Sequence, residues 1–225
     1  MRIDLHVHTT AGSADSALKA SRLAAHAREA GLDAVAVTEH FRVWDAFEAQ
    51  QVRVEGGLPV LRGVEWNTDH GHVLVFGIER YDSGVRRLAD LREWVTAAGG
   101  FMIIAHPFRH FFDPPPARRW LAGGGPATMS ASDCAGLPVF GLVDEIEVWN
   151  GNCTVRENAF AAEVAALLGR RGTGGSDAHY GEDLGRCHTT FERVIDCDAT
   201  LIAELRAGRF RAAGPPLTSD RRVEQ

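Results

Sequence analysis

The stretch Arg2–His8, which reads RIDLHVH, alternates between apolar and polar side chains. This alternation predicts a β-strand, in which residues two apart project from the same face. His6 and His8 would then lie side by side, with the three apolar side chains of the stretch packed behind them. Two imidazoles in that arrangement either bind one metal ion or face solvent as a polar pair. The stretch alone leaves both interpretations open, and partners elsewhere in the chain decide between them.

The length and composition indicate one α/β domain with a sizeable core. The chain has 225 residues, of which 45% are hydrophobic, the ordinary share for a globular protein. The formal net charge is −6 and no basic run exceeds two residues, which argues against a surface for duplex nucleic acid. Bound divalent cations would, however, reverse the field locally.

Compartment signals favour the cytoplasm. The four cysteines form no CxxC pair, which indicates thiols in a reducing compartment rather than a disulfide framework. The first residues lack the pattern of a signal peptide, and no stretch approaches the roughly 18 apolar residues of a membrane span. We therefore expect a cytoplasmic protein that does not associate with a membrane.

Apolar runs alternate with helical patterns, which predicts a parallel sheet covered by helices. Strands are expected near residues 2–8, 34–37, 58–65, 72–78, 101–105, 143–148 and 172–175, and helices near 17–30, 43–51, 85–98, 154–168 and 198–207. Eight-fold barrels typically need about 250 residues, so the length fits a barrel with one unit missing. An open doubly wound sheet is the competing architecture. No Gly-x-Gly-x-x-Gly motif follows the first strand, so a dinucleotide-binding fold has no support.

Residues 107–138 interrupt the alternation. They contain runs of three prolines and three glycines, together with the aromatic residues Phe111, Phe112 and Trp120. The segment is too long for an ordinary connection and is either a lid over a site or a mobile insertion. The expected organisation is one barrel domain over residues 1–225 with an insertion or lid at about 107–138.

Histidine and carboxylate side chains lie at the ends of the predicted strands. Because the carboxyl ends of parallel barrel strands converge on one face, these side chains are expected to form one site. His72 opens its strand, so it joins the others only if that strand runs antiparallel or a loop carries it there. The candidates are His6, His8, His40, Glu65, His72, His106, Asp177 and His179.

This mixture of imidazoles and carboxylates points to a multinuclear metal site. It suits Zn²⁺, Mn²⁺ or Fe²⁺ better than Mg²⁺ or Ca²⁺, which prefer oxygen ligands alone. The set is too large for one four-coordinate ion. At least two ions are therefore expected, with Glu65 as the natural bridging carboxylate.

Seven short motifs connect these candidates along the chain. They are DLHVHT at 4–9, Ser13-x-Asp15-Ser16, Thr38-Glu39-His40, Gly63-Val64-Glu65, GHVLVFG at 71–77, Ala105-His106-Pro107-Phe108-Arg109 and Gly175-Ser176-Asp177-Ala178-His179. Together they make the sequence resemble the PHP (polymerase and histidinol phosphatase) domain family, in particular its small stand-alone phosphoesterases. The resemblance implies a distorted (β/α)7 barrel, similar to a TIM barrel, with three metal ions. His6, His8, Glu65 and Asp177 would hold the first ion, Glu65, His72 and His106 the second, and Asp15, His40 and His179 the third.

Three positions near these ligands have alternatives. Some family members carry a histidine where this chain has Asp15, and an oxygen ligand there would weaken or change the third metal site. His70 is the alternative to His72 as a ligand. Glu39 is expected behind the ligands, where it would fix a histidine tautomer.

The expected activity is metal-dependent hydrolysis of phosphoesters. Bridged ions lower the pKa of water, so that a bridging hydroxide is available near pH 7 to attack phosphorus in line. The candidate catalytic residues are Arg109, Asp177 and His179. Arg109 would clamp a phosphate oxygen, with Arg186 as a second candidate, unless each only forms a surface ion pair.

The expected substrates are small phosphorylated molecules or nucleotides. The end of a short single-stranded oligonucleotide is also possible, with its bases stacked on aromatic residues of segment 107–138. Two other functions remain open, namely hydrolysis of a C–N or carboxyl ester bond and a non-catalytic accessory role of the kind that PHP domains have when attached to polymerases. The intact ligand set and the absence of a polymerase domain from this sequence count against the accessory role.

Overall fold

The computed structural model describes residues 1–113 and 129–215, which contain nine strands and six α-helices. The strands are β1 (Arg2–Val7), β2 (Ala34–Glu39), β3 (Val60–Thr68), β4 (Gly71–Phe76), β5 (Phe101–Ile104), β6 (Glu145–Asn150), β7 (Thr173–Gly175), β8 (His188–Phe191) and β9 (Phe210–Ala213). The helices are α1 (Ala20–Glu29), α2 (Ala46–Gly56), α3 (Leu88–Ala97), α4 (Ala131–Ala135), α5 (Val155–Leu167) and α6 (Asp198–Arg206). The strand order is β7-β6-β5-β4-β3-β2-β1-β8-β9.

The sheet curls into a nearly closed barrel, which confirms the expected distorted, TIM-like fold. Between the end of β1 and the residues that follow β7, His8 N donates to Ala178 O at 3.0 Å and Ala178 N donates to His6 O at 3.3 Å. Further along, the hydroxyl of Thr189 in β8 exchanges two hydrogen bonds of 2.9 Å with the backbone of Gly174 in β7. The first strand and the seventh are thereby held together at the site.

The expectation of an all-parallel sheet is wrong at β4. This strand runs antiparallel to both β3 and β5. Only Asp69 and His70 separate it from β3, and so short a turn joins antiparallel strands. His72, at the start of β4, consequently pairs with Asn67 near the end of β3 and lies at the same end of the barrel as Glu65. This is one of the two arrangements that would make His72 a ligand.

The antiparallel pair of strands β8 and β9, which helix α6 connects, was not expected from the sequence. It pairs with β1 through β8 and extends the sheet beyond the seven predicted strands. Each of its strands has four residues, and in β8 only alternate side chains are buried. Such short elements give too few positions for a reliable apolar pattern.

Helices cover the barrel with apolar side chains. Leu23 of α1 packs in a cluster with Val35 and Val37, whereas Leu201 of α6 packs with Ile3 and other strand residues. Across the described ranges 1–113 and 129–215, no helix has the length and apolar character needed to cross a membrane.

The segment expected as an insertion or lid is integrated into the fold at both described ends. Phe108 and Phe111 are buried in the largest core cluster. Helix α4 begins with a reciprocal capping box between Ser130 and Asp133. Residues 114–128, with Trp120, lie outside the described residues.

Candidate metal centre

All nine candidate ligands converge at one end of the barrel, in three groups that share or border Glu65. We name the groups the inner cluster (His6, His8, Glu65 and Asp177), the side cluster (Glu65, His72 and His106) and the outer cluster (Asp15, His40 and His179). In the inner and side clusters the ligand atoms lie within 4.8 Å of one another, and the same holds for His8 with the two outer histidines.

Glu65 is the centre of this arrangement. Its Oε2 lies 3.3 Å from His6 Nε2, 3.1 Å from His8 Nε2 and 3.2 Å from His40 Nδ1. Its Oε1 lies 2.7 Å from His72 Nδ1 and 2.9 Å from His106 Nε2. One carboxylate thus faces all three clusters with its two oxygens, which is the geometry of a bridging ligand.

Two further carboxylates complete the inner and outer clusters. Asp177 Oδ1 lies 3.5 Å from His6 Nε2 and 3.4 Å from His8 Nε2. Asp15 Oδ2 lies 3.3 Å from the Nε2 atoms of both His40 and His179. Each carboxylate therefore faces a pair of imidazole nitrogens across a space of the size that a metal ion requires.

Exposure divides the centre into a closed and an open side. The inner cluster is buried, whereas the side chain of Asp15 is 56% exposed and that of His72 is 38% exposed. His40 and His179 are half-buried between them. A molecule that arrives from solvent therefore meets the outer and side clusters first.

Hydrogen bonds on the far side of the rings fix the inner imidazoles. His6 Nδ1 donates to Glu147 Oε1 at 3.0 Å, and His8 Nδ1 donates to Ser13 Oγ at 3.1 Å. Ser13 in turn donates to Glu39 Oε2 at 2.6 Å. These bonds place the proton on Nδ1 and leave the Nε2 lone pair facing the cluster. Glu39 therefore lies behind a ligand as expected, but it acts on His8 through Ser13 rather than on the adjacent His40.

Glu147 is a site residue that the sequence reasoning missed. It is buried in β6 and accepts three hydrogen bonds, from His6 Nδ1, from His106 N at 2.9 Å and from Asn150 Nδ2 at 2.9 Å. The available signal was a glutamate between Ile146 and Val148 in a strand whose neighbours are apolar. A buried carboxylate needs a partner, and for Glu147 that partner is His6 of the metal centre.

Two of the ligands have strained backbones. His106 has φ of 30° and Asp177 has φ of 55°, in the left-handed region that non-glycine residues seldom adopt. His106 is held there by its N–H bond to Glu147, and the Asp177 carbonyl accepts from Asn152 Nδ2 at 2.7 Å. Strain of this kind concentrates at functional sites, where surrounding bonds maintain it.

The inner cluster stabilises positive charge. Burial alone would lower the pKa of His6, but the charges of Asp177, Glu147 and Glu65 outweigh burial and hold that pKa well above its usual range. Burial also opposes ionisation of Glu65 and Asp177, yet the nearby imidazoles keep the pKa of both carboxyls well below normal. Burial likewise opposes the charged form of His8, but the facing carboxylates of Asp177 and Glu65 raise its pKa to about 9. The ionised carboxylates of the inner cluster therefore favour bound positive charge, which either protons on the imidazoles or divalent cations in their place can provide.

The two candidate arginines lie in different places. Arg109 donates to Asn150 Oδ1 at 2.9 Å and to Asp177 Oδ2, so its guanidinium borders the inner cluster. Arg186 instead forms an ion pair with Asp183 at 2.8 Å, three residues before it, and is half exposed. This contact matches the surface ion pair considered for Arg186.

His70 lies outside the three clusters. It is in the turn between β3 and β4, where its backbone N–H donates to Thr68 Oγ1 at 3.1 Å. His72, two residues later, has the contact with Glu65 instead.

A further group of side chains of metal-ligating type consists of His110, Asp113 and Glu157. Both carboxylate oxygens of Glu157, however, already accept backbone hydrogen bonds, from His110 N and Thr154 N.

Solved structures share this fold at low sequence identity. PsfC from Pseudomonas syringae matches with a TM-score of 0.62 at 20% identity, covering 95% of this chain and 92% of that one. A proposed metal-dependent phosphoesterase from Bifidobacterium adolescentis matches with a TM-score of 0.61 at 19% identity, covering 91% and 95%. An amidohydrolase from Chromobacterium violaceum, solved with bound sulfate and no metal, matches with a TM-score of 0.63 at 19% identity, covering 93% and 97%.

Family models give the sequence relationship that these structures do not. A search of curated proteins found no match. The PHP domain model matches residues 4–105, and the model described as PHP-associated matches residues 155–210. All nine candidate ligands except His106 lie within these two segments, and His106 follows the first one directly. The chain therefore belongs to the PHP family.

Proposed function

We propose that this protein hydrolyses phosphoesters with the help of two or three divalent metal ions. The observation that carries the proposal is a set of buried imidazole nitrogens aimed at carboxylates. Among the described residues, His6 Nε2, His8 Nε2 and His40 Nδ1 are buried and have no hydrogen-bond partner. A buried polar atom without a partner costs free energy. Lone pairs that converge on a carboxylate in this way fit a cation.

The donor set also fits the class of metal. Imidazole and carboxylate ligands together favour Zn²⁺, Mn²⁺ or Fe²⁺. The inner cluster would hold one ion, the side cluster a second and the outer cluster a third, with Glu65 shared. Ions held there would lower the pKa of water toward neutrality and neutralise charge on phosphate oxygens in the transition state.

Residues of this chain would bind and orient the phosphate. Arg109 supplies a fixed positive charge at the edge of the inner cluster, and its bond to Asp177 orients that carboxylate toward His6 and His8. His179 stands on the open side, and its Nδ1 donates to the Asp177 carbonyl at 2.9 Å. Its Nε2 faces Asp15 Oδ2 in the outer cluster, so it would hold the third ion or, with two ions bound, would exchange a proton with the leaving oxygen.

Small phosphorylated molecules are the substrates that the charge distribution favours. The net charge of −6 and the short basic runs offer little attraction for a long polyanion. Nucleotides and the ends of short oligonucleotides remain within this class. The neighbour from Chromobacterium violaceum that carries sulfate, a tetrahedral anion like phosphate, supports a site for such groups on this fold.

Hydrolysis of a C–N or carboxyl ester bond is the second candidate. It is favoured by the name of that same neighbour, an amidohydrolase. The chemistry of a metal-activated water does not forbid it. An accessory role without catalysis is less consistent with nine convergent ligands.

The test is turnover by purified protein supplied with Mn²⁺ or Zn²⁺. We expect cleavage of p-nitrophenyl phosphate or its diester, with loss of activity in His8→Ala and Asp177→Asn. Asp183→Asn is the matched control, because Asp183 pairs with Arg186 away from the clusters. Faster cleavage of aryl amides or carboxyl esters than of phosphoesters favours the second candidate. No turnover across a broad phosphoester panel refutes the first.

A further inference from the structure

Large aromatic side chains stand at the open side of the metal centre. Phe41 is 61% exposed and directly follows His40, and Tyr180 is also exposed and directly follows His179. Single exposed apolar side chains are common and need no explanation by themselves. Their position next to the two outer-cluster histidines is what separates this pair from exposed aromatics elsewhere.

Phe41 is held in place although it is exposed. Its ring meets Tyr81 edge to face, with 5.8 Å between centroids, and Tyr81 packs on the buried Trp66 at 4.4 Å. The Phe41 ring also lies 6.0 Å from the ring of His40. One face of an aromatic side chain is thus fixed by neighbours while much of its surface stays open. A ring fixed before binding loses little entropy when a ligand stacks on it.

A substrate that enters the metal centre from solvent passes the ring of Phe41. Because the inner cluster is buried and Asp15 and His72 are exposed, a phosphate group reaches Glu65 over the outer and side clusters. The group attached to the phosphate then remains on the solvent side, where Phe41 lies.

Two of the aromatic residues expected for stacking from the sequence are placed elsewhere, and the third, Trp120, lies outside the described residues. Phe111 is buried in the core. Phe112 packs on Phe160 and carries the guanidinium of Arg156 at 3.8 Å from its centroid. Among the described residues, the exposed ring next to the metal centre that has fixed contacts is therefore Phe41.

We propose that Phe41, supported by Tyr81, is a specificity-determining residue that stacks on a flat aromatic group attached to the phosphate. This proposal rests on the proposed phosphoester hydrolysis and adds the chemical class of the rest of the substrate. The contact forms on binding and is unchanged by the reaction. It therefore lowers KM for aromatic esters and leaves kcat unaltered.

The experiment compares benzyl phosphate with ethyl phosphate in the presence of Mn²⁺. Both are esters of primary alcohols, and they differ in the aromatic ring. In Phe41→Ala we expect kcat/KM for benzyl phosphate to fall about fivefold to tenfold through KM, the size of an aromatic contact, with ethyl phosphate unaffected. Phe41→Tyr should retain the preference. Phe47→Ala, which removes a 69% exposed phenylalanine on α2, is the matched control and should change neither substrate.

The outcomes separate the two proposals. If the wild-type protein cleaves neither ester, the proposed function fails and this inference fails with it. If it cleaves both, and Phe41→Ala lowers both equally or neither, only the stacking role is overturned. An equal loss would mean that Phe41 positions His40 instead. Because Phe41 is exposed, the variant is expected to fold, and an unchanged thermal midpoint checks this.

Discussion

The inner and outer clusters contain similar side chains but differ in how the surrounding structure supports them. In the inner cluster, His6 and His8 are each fixed by a buried hydrogen-bond partner, Glu147 for one and Ser13 for the other. In the outer cluster, the carboxylate is Asp15, which is supplied by an exposed loop after β1. The difference teaches that the inner site is part of the barrel, whereas the outer site depends on a loop.

This contrast predicts a gradient of metal affinity. An ion in the inner cluster would meet ligands whose rotamers and tautomers are already set, so little ordering free energy is lost on binding. An ion in the outer cluster would have to order Asp15 and compete with water for it. We therefore expect tight binding at the closed side of the centre and exchangeable binding at the open side.

Replacing Glu65, which faces all three clusters, is expected to have the largest effect on metal binding and activity, because it weakens the inner and outer clusters together. Glu65→Gln leaves one acceptor oxygen where five imidazole nitrogens now face two. We expect loss of metal from all three clusters and a fall in kcat of about 10³-fold or more, beyond the 10–100-fold typical of an outer partner. Metal analysis by mass spectrometry and steady-state kinetics check this. Glu79→Gln, at an exposed glutamate paired with Arg62, should behave like the wild-type protein. Retention of metal by Glu65→Gln would contradict a bridging role.

The next largest effect is expected from replacing Glu147, which supports His6 of the inner cluster. Glu147→Gln keeps the shape of the side chain but replaces one carboxylate oxygen by an NH₂ group, which cannot accept from His106 N or Asn150 Nδ2. We expect the tightest metal affinity to fall about 10–100-fold, measured by competition with a chelating dye. Glu145→Gln offers a matched control on the same strand, because Glu145 binds the backbone of Arg171 and Gly172 instead. Equal effects of the two substitutions would show that Glu147 serves only the strand.

Eight of the nine ligands could be predicted from the sequence because each one lies near an end of a recognisable strand, whereas Asp15, in a loop, came only from the family resemblance. His6 and His8 alternate with apolar residues, and His106 and Asp177 come directly after apolar or glycine-rich runs. Convergence then follows from the barrel, without knowledge of any contact. The assignment of the nine residues to individual ions came from family resemblance, and the distances fit it without testing it.

The supporting residues could not be predicted because their partners are distant in sequence. Glu147 meets His6 across 141 positions, and nothing within β6 indicates which side chain it serves. The pair of strands β8 and β9 was missed for a different reason, since both strands are short and only partly apolar. Phe41 was overlooked because an exposed aromatic after a strand has no distinguishing pattern. Its meaning comes from the position of His40 beside it.

The smallest expected effect comes from the loop carboxylate of the outer cluster. Asp15→Ala should remove the weakest bound ion and leave the inner ions in place, since Asp15 contacts only His40 and His179 among the imidazoles described. We expect activity to fall about tenfold or less, because water can replace one exposed oxygen ligand. Asp15→His, which introduces the ligand type of some family members, should retain that ion. Titration of metal content against activity distinguishes the two variants. If Asp15→Ala instead loses every ion, the outer cluster is not independent, and the contrast between a barrel site and a loop site is wrong.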